Sequence, residues 1–320
     1  ESLDDYIADA GINLADFNGI TDQVTVDGSL YELPFRSDYW LIYYNKDVFD
    51  AAGIAYPSND MTIEDYDALA RQLTDTTYGS QVYGCHYHTW RSAVELFGIL
   101  DGKHSILDGN YDWMIPYYDM ILSEEDDGVC QTYTDLSTEG LHYSAAFSNG
   151  NVAMMNMGSW FISTLISNLD SGEYDSSLCG NWGIASYPHP DGAEAGSTIA
   201  TITGLAVTSA SANKDAAFDF VNWVSGTEGA KVMASTGNFP AIMTDDVINT
   251  IAGMAGFPTD ESSKEALNIT NAYLEVPYAE NVSEINSILD TYHTSIMNRE
   301  VTVEEGVASM NEQVGKILNQ

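Results

Sequence analysis

The 320-residue chain is short of positive charge: 10 Lys and Arg stand against 48 Asp and Glu, a formal net charge of -38 at pH 7. A phosphate-binding face needs clustered Lys and Arg, so nucleic acid and anionic membrane are excluded as partners. The acid excess reads as a solvated surface that keeps the chain soluble, with a salt-adapted organism as the alternative. Long apolar runs are also lacking, and none approaches the roughly 18 to 20 residues of a membrane helix. Cysteine is scarce: Cys85, Cys130 and Cys179 are odd in number and form no C-x-x-C pair, which excludes a disulfide framework or zinc ribbon and leaves room for one bridge. His86 and His88 in Cys85-His86-Tyr87-His88 would share a strand face, but a lone H-x-H reads as structural, and no metal or other cofactor is expected. The acidic stretch Glu124–Gly128 lacks EF-hand spacing and reads as a solvated loop. Catalytic motifs are missing too: no G-x-S-x-G elbow, Walker loop, H-E-x-x-H or G-x-G-x-x-G occurs. Among 48 acids no glycosidase pair can be singled out, and His104, His142, His189 and His293 lack local motifs, so no catalyst is expected. Nothing at Glu1 resembles a signal peptide, a lipid-anchor cysteine or a targeting motif.

What the chain does have is a globular composition, 44% apolar and 11% aromatic, and a length that predicts about two domains, each able to bury a core. It is organised around Tyr31–Phe49, YELPFRSDYWLIYYNKDVF. Two apolar runs, Leu30–Phe35 and Trp40–Tyr44, flank Arg36-Ser37-Asp38, and their aromatic and branched residues suit strands. Pro34 donates no N–H to a ladder, so the first strand should end or lie at an edge there. The chain should then cross from one sheet to another over Arg36–Asp38, a natural floor for a cleft. Further on, Asn45–Gly53 predicts a short helix, and Thr62 with Asp65 caps an amphipathic helix through Tyr66, Leu69, Ala70 and Leu73. Gln81–Thr89 alternates like a strand and leads through Trp90 into an apolar helix; Asn110–Ser123 reads as a helix with Pro116 near its start. Val152–Met155 reads as a buried strand between the turn Ser148–Asn151 and a helix whose first turn holds Trp160. Thr201–Thr208 alternates around Gly204, Ala217–Val224 is a helix ended by Gly226, and Thr227 caps another. Two helices close the chain, Ile285–Ile296 and the one that follows the capping box Thr302–Glu305.

Four segments in this order resemble the family 1 extracellular solute-binding proteins of ABC importers, the sugar-binding branch. They are LPF with LIYYNKDVFDAAGI and MTIEDYDALARQL, FSNGNVAMMNMGSW (Phe147–Trp160), NWGIASYP (Asn181–Pro188) and ITGLAVTSASANKDAAFDFVNWVSGTEG (Ile202–Gly229). The resemblance implies an α/β fold of two lobes, similar to maltose-binding proteins and of the type II periplasmic-binding-protein kind. Each lobe would be a central sheet flanked by helices, joined to the other by a multi-strand hinge. Residues 1–38 and 204–252 would form the first lobe, and 39–203 with 253–320 the second. SLDDYIADAG, at the start, resembles a segment the family carries well inside its first lobe, so the opening of that lobe is expected to be absent from this chain. The implied function is extracellular capture of a carbohydrate, expected to be an oligosaccharide, in the interlobe cleft and its delivery to ABC permease subunits. A monomer is expected, held at the cell surface as a lipoprotein or free in the periplasm. The alternatives are a carbohydrate-active enzyme using paired carboxylates and a binding protein for a polyol, a sugar phosphate or a peptide. A sugar phosphate is disfavoured because few cations, Arg36 and Arg91 among them, are there to neutralise it.

A sugar ring has apolar C–H faces and a fringe of hydroxyls, so its site needs flat aromatic platforms beside hydrogen-bonding side chains. The candidate platforms are Tyr39 and Trp40 at the crossing, Trp90 at a strand-to-helix junction and Trp160 at a helix start. Asp38, His88, Thr203 and Asn238 are the candidate hydrogen-bonding partners, and at Gly204 a missing side chain permits close approach. The competing reading of each aromatic is core packing, and of each polar group a satisfied strand or loop end. Met154, Met155 and Met157 read as core.

Overall fold

Six strands organise the computed structural model, which describes residues 1–320 apart from Asn18, Tyr78 and Gln320: β1 (Glu32–Asn45), β2 (Tyr83–His86), β3 (Val152–Gly158), β4 (Trp182–Ser186), β5 (Thr198–Ala206) and β6 (Ala272–Leu274). The centre is β1, 14 residues long. Its first half pairs antiparallel with β5, from Glu32 opposite Ala206 to Tyr39 opposite Ala200. Its second half lies between β3 and β4, antiparallel to both. β2 adds parallel to β3, and β6 parallel to β5.

The expected pair of strands is therefore one continuous strand that changes neighbours, and the change falls at Tyr39/Trp40 rather than across Arg36–Asp38. Pro34 does not end it. The register slips between Pro34 and Arg36, a bulge that tolerates a residue without an N–H. The Phe239–Ala241 segment covers the other edge of this half: Ser37 N–H donates to the Phe239 carbonyl at 3.1 Å and Ala241 N–H to the Phe35 carbonyl at 3.0 Å.

Side chains alternate across a strand, and β1 uses both faces. Trp40, Ile42 and Tyr44 point into one core with the helices Ile63–Leu73, Ser92–Ile99, Ile115–Asp126, Val282–Met297 and Val303–Leu318. Tyr39, Leu41 and Tyr43 point into a second core with Asp4–Ala10, Trp160–Ser171, Lys214–Ser225, Thr227–Ala234 and Asp245–Ala252. Met154, Met155 and Met157 of β3 are fully buried between them.

Helix ends follow their local chemistry. Both capping boxes form, Thr62 with Asp65 and Thr302 with Glu305, and Asn45 caps the helix Lys46–Ala52. Three boundaries differ from expectation. β2 covers only Tyr83–His86, which leaves His88 beyond the strand. Gly226 takes the N-cap position, and Thr227 is the first residue of its helix. The helix Ile115–Asp126 takes in the first three residues of the expected acidic loop, and Glu124 and Glu125 are buried because they fall on its inner face.

Candidate functional site

The exchange of neighbours at Tyr39/Trp40 brings three tryptophans from distant parts of the chain together. Trp40 meets Trp160 at 5.6 Å between ring centroids and Trp90 at 6.3 Å, both edge to face; Trp90 and Trp160 are also 6.3 Å apart. Trp40 is buried from below, whereas Trp90 is 39% exposed. Trp160 lies back over its own chain: a Cβ on Gly158 would sit 2.0 Å from the Trp160 ring, so only glycine leaves room for it. Trp160 Nε1–H donates to the Tyr143 hydroxyl at 3.2 Å, and Tyr143 and His88 extend the aromatic wall, with His88 4.6 Å from Trp90. Burial, with His142 nearby, pushes His88 down to about 4, so its imidazole is neutral at pH 7.

A cavity of about 380 Å³ opens beside these rings, lined by Trp40, Trp90, Trp160, Arg91, Thr201 and Glu275 among others. A more apolar groove of about 520 Å³ adjoins it through Thr201, Glu275 and Val276, and is lined by Val26, Ile202 and Tyr278. These sizes lie within the range of small-ligand sites, about 300 to 1,000 Å³. Glu275 sits at the junction, one residue past β6. Its carboxylate accepts from Trp40 Nε1–H at 3.3 Å, Thr201 Oγ1–H at 2.9 Å and Ser92 Oγ–H at 2.5 Å. Arg91, buried at the cavity floor, pairs with Glu95 at 2.5 Å and also with Asp290. Burial raises the Glu95 carboxyl above its ordinary value, against the pull of Arg91.

The other sequence candidates fall elsewhere. Tyr39 is a core residue: one position from Trp40 on an alternating strand, its ring turns to the opposite face and packs on Phe239 at 6.0 Å. Asp38 is 5% exposed and committed internally, paired with Arg36 at 2.6 Å and accepting from Ser159 Oγ–H at 3.0 Å. Its role is positional, because Ser159 N–H also donates to the Tyr39 carbonyl at 2.8 Å and so fastens the start of the Trp160 helix to β1. Thr203 is exposed on β5 opposite Arg36, two residues beyond Thr201 and outside the lining of the cavity. At Gly204 the close approach is made by a side chain of the protein itself: a Cβ there would lie 2.3 Å from the Glu32 carboxylate, which accepts from the Tyr278 hydroxyl. Asn238 bonds to Thr236 and lines a separate depression with Trp223 and Val232. His86 is buried with neither ring nitrogen hydrogen-bonded. Sequence reasoning missed Glu275, Ser92 and Thr201; one acid among 48 after a three-residue strand carries no local signal.

Comparison with known proteins agrees with this architecture. A sugar transporter from Rhizobium etli, solved in an open conformation, superposes with a TM-score of 0.92 at 47% identity, over 98% of this chain and 79% of its own. An ABC substrate-binding protein from Listeria monocytogenes in complex with cycloalternan gives 0.80 at 22% identity, over 100% and 80%. The sugar-binding protein MalE from Xanthomonas citri gives 0.76 at 19%, over 100% and 79%. The fold is thus the two-lobed α/β one of periplasmic binding proteins. A mannitol-binding protein from Pseudomonas aeruginosa is 24% identical over 223 residues, 67% of this chain, and the chain spans 49% of that relative's length. The family model for bacterial extracellular solute-binding proteins matches residues 1–231, and the chain belongs to that family.

Proposed function

We propose that the chain captures a carbohydrate in the cleft over Trp40, Trp90 and Trp160 and delivers it to the permease of an ABC importer. The observation that carries this reading is the three-tryptophan cluster, with Glu275 at its edge and an open cavity beside it. Indole faces suit the C–H faces of a pyranose, and Glu275, Thr201 and Ser92 supply acceptors and donors for its hydroxyls. The 47% identity to a sugar transporter supports the same ligand class, and the similarity to a mannitol-binding protein adds polyols to the ligands worth testing.

Residues 1–38 and 204–252 form one lobe and 39–203 with 253–320 the other, so that β1 and β5 serve as hinge strands. Ligand that touches both lobes only in the closed form favours closure by that extra affinity, and the permease reads the closed shape. The protein works as a monomer outside the cytoplasm, as a lipoprotein or in the periplasm. A binding role fits the carboxylates at the cavity, since Glu275 accepts three hydrogen bonds and Glu95 is ion-paired, which leaves neither poised as a free acid or base.

The test is a tryptophan-fluorescence titration with mannitol and a panel of mono- to tetrasaccharides, with amino acids and short peptides as controls. A saturable change with one sugar or polyol family is expected. A response to peptides alone, or steady release of reducing ends from an oligosaccharide, overturns the reading.

A further inference from the structure

Outside the lining of either cavity, the core holds a group that ligand capture does not use. Cys85 and Cys130 are 0% and 2% exposed and Glu124 is 0% exposed, and their two Sγ atoms and a carboxylate oxygen lie within 4.8 Å of one another. The backbone sets this closeness. Cys85 N–H donates to the Val129 carbonyl at 3.3 Å, and Val129 N–H to the Glu124 carbonyl at 2.8 Å, so the turn after helix Ile115–Asp126 lays Cys130 alongside β2. Gly128, at φ +70°, makes that turn. A disulfide requires the two sulfurs to approach from neighbouring backbone segments, and the hydrogen bond from Cys85 to Val129, next to Cys130, holds the segments together.

We propose that Cys85 and Cys130 form a disulfide in the exported protein. The family is extracellular, and disulfides persist in such compartments. Cys85 Sγ–H donates to Glu124 Oε1 at 3.6 Å, which holds the thiol on the side of β2 that faces Cys130 and Glu124. In balance, two thiols give up two electrons and two protons and one S–S bond forms. The acceptor is the disulfide of a thiol–disulfide oxidoreductase, which passes through a mixed disulfide and leaves as its dithiol. Neither thiol is reachable in the folded chain, so the bond closes while this region is still assembling and is afterwards shielded from reductants. It ties β2, and with it Trp90 five residues on, to the helix Ile115–Asp126. Two thiolates and a carboxylate are also zinc ligand types. Around a dication, however, they would leave a net negative charge in the core, whereas the disulfide is neutral.

The test uses the full chain exported to a bacterial periplasm, denatured, alkylated without reductant and weighed intact. One modified thiol, Cys179, is expected, rising to three after reduction, with a cross-linked Cys85–Cys130 peptide in the digest. Three modified thiols at the outset overturn the proposal, whether or not one equivalent of zinc is released with them, and so does a bridge to Cys179. A second measurement needs no oxidised standard: protein reduced in denaturant and refolded with reductant present should melt about 5 °C or more below untreated protein for the wild type and Cys179→Ser alike, and no lower for Cys85→Ser/Cys130→Ser. Equal response of all three proteins to reductant would count against the bond.

Discussion

Trp160 occupies the cleft because the residue two positions before it has no side chain. Adding the methyl of Gly158→Ala would place a carbon 2.0 Å from the indole, so the ring has to swing out of the cluster. We expect a destabilisation of about 1 to 3 kcal/mol and a weaker ligand response, measured by thermal melting and fluorescence titration. Unchanged binding would mean that Trp160 is not a platform. Trp40 and Trp90 should separate structure from recognition. Trp90→Ala, at a 39% exposed position, should leave stability nearly intact and weaken sugar binding by tenfold or more, whereas Trp40→Ala, at 3% exposure, should also cost about 3 to 5 kcal/mol of stability. Equal loss of stability in both variants would show that the two rings are alike structural. At this scale the nearness of Trp90 and Trp160 to a strand end was legible, whereas the opposite facing of Tyr39 and Trp40 on β1 was not. Glu275 was not, because what distinguishes it is three donors contributed by residues 40, 92 and 201.

Elements begin and end here for reasons contained within a few residues. Thr302 accepts from Glu305 N–H at 3.2 Å while Glu305 returns a bond to Thr302 N–H at 3.1 Å, which starts the helix Val303–Leu318. Thr302→Ala should remove about 1 kcal/mol and lower Tm by about 2 to 4 °C without altering ligand affinity, since Thr302 lines neither cavity. A changed affinity in that variant would tie the terminal helices to the cleft. Such capping signals were readable because they are local. The continuity of β1 was not: Pro34 reads as a stop, and only the pairing of both halves with β5, β3 and β4 shows the strand carried past it. The helical placement of Glu124 and Glu125 was likewise hidden, since an acidic run reads as solvated until packing turns one side of it inward.

For the whole molecule, buried ionisable groups set opposing limits on stability. Burial raises Glu124 to about 8, so between its ordinary value near 4.5 and pH 8 the folded state holds a proton that the unfolded state has lost. That stabilisation is present at low pH and is lost as pH rises through 8; Asp38, Glu95 and Glu125, also raised by burial, act in the same direction. His86 and His293 are pushed down to about 3 and His88 to about 4, so below the ordinary histidine value of 6.5 the unfolded chain takes up protons that the folded one refuses. Stability therefore falls again on the acid side, and the maximum is expected near pH 6 to 7. Urea unfolding at pH 6.5 and 8.5 should show a lower midpoint at the higher pH, and Glu124→Gln should remove much of that drop. An undiminished drop in the variant would place its origin in other groups.

Composition, capping and alternation belong to the sequence itself, because each depends on a residue and its near neighbours. From them came the α/β class, the helix starts, the motifs shared with solute-binding proteins and the acid excess behind a net charge of -38. Only the tertiary structure decided that Trp40 borders the cavity from one core while Tyr39 beside it turns into the other, that Asp38 serves an internal junction, and that Glu275 gathers three donors at the cavity. The reason is that the pleat inverts the face at every residue, and the contacts that give a side chain its role here join positions as far apart as 40, 90, 160 and 275.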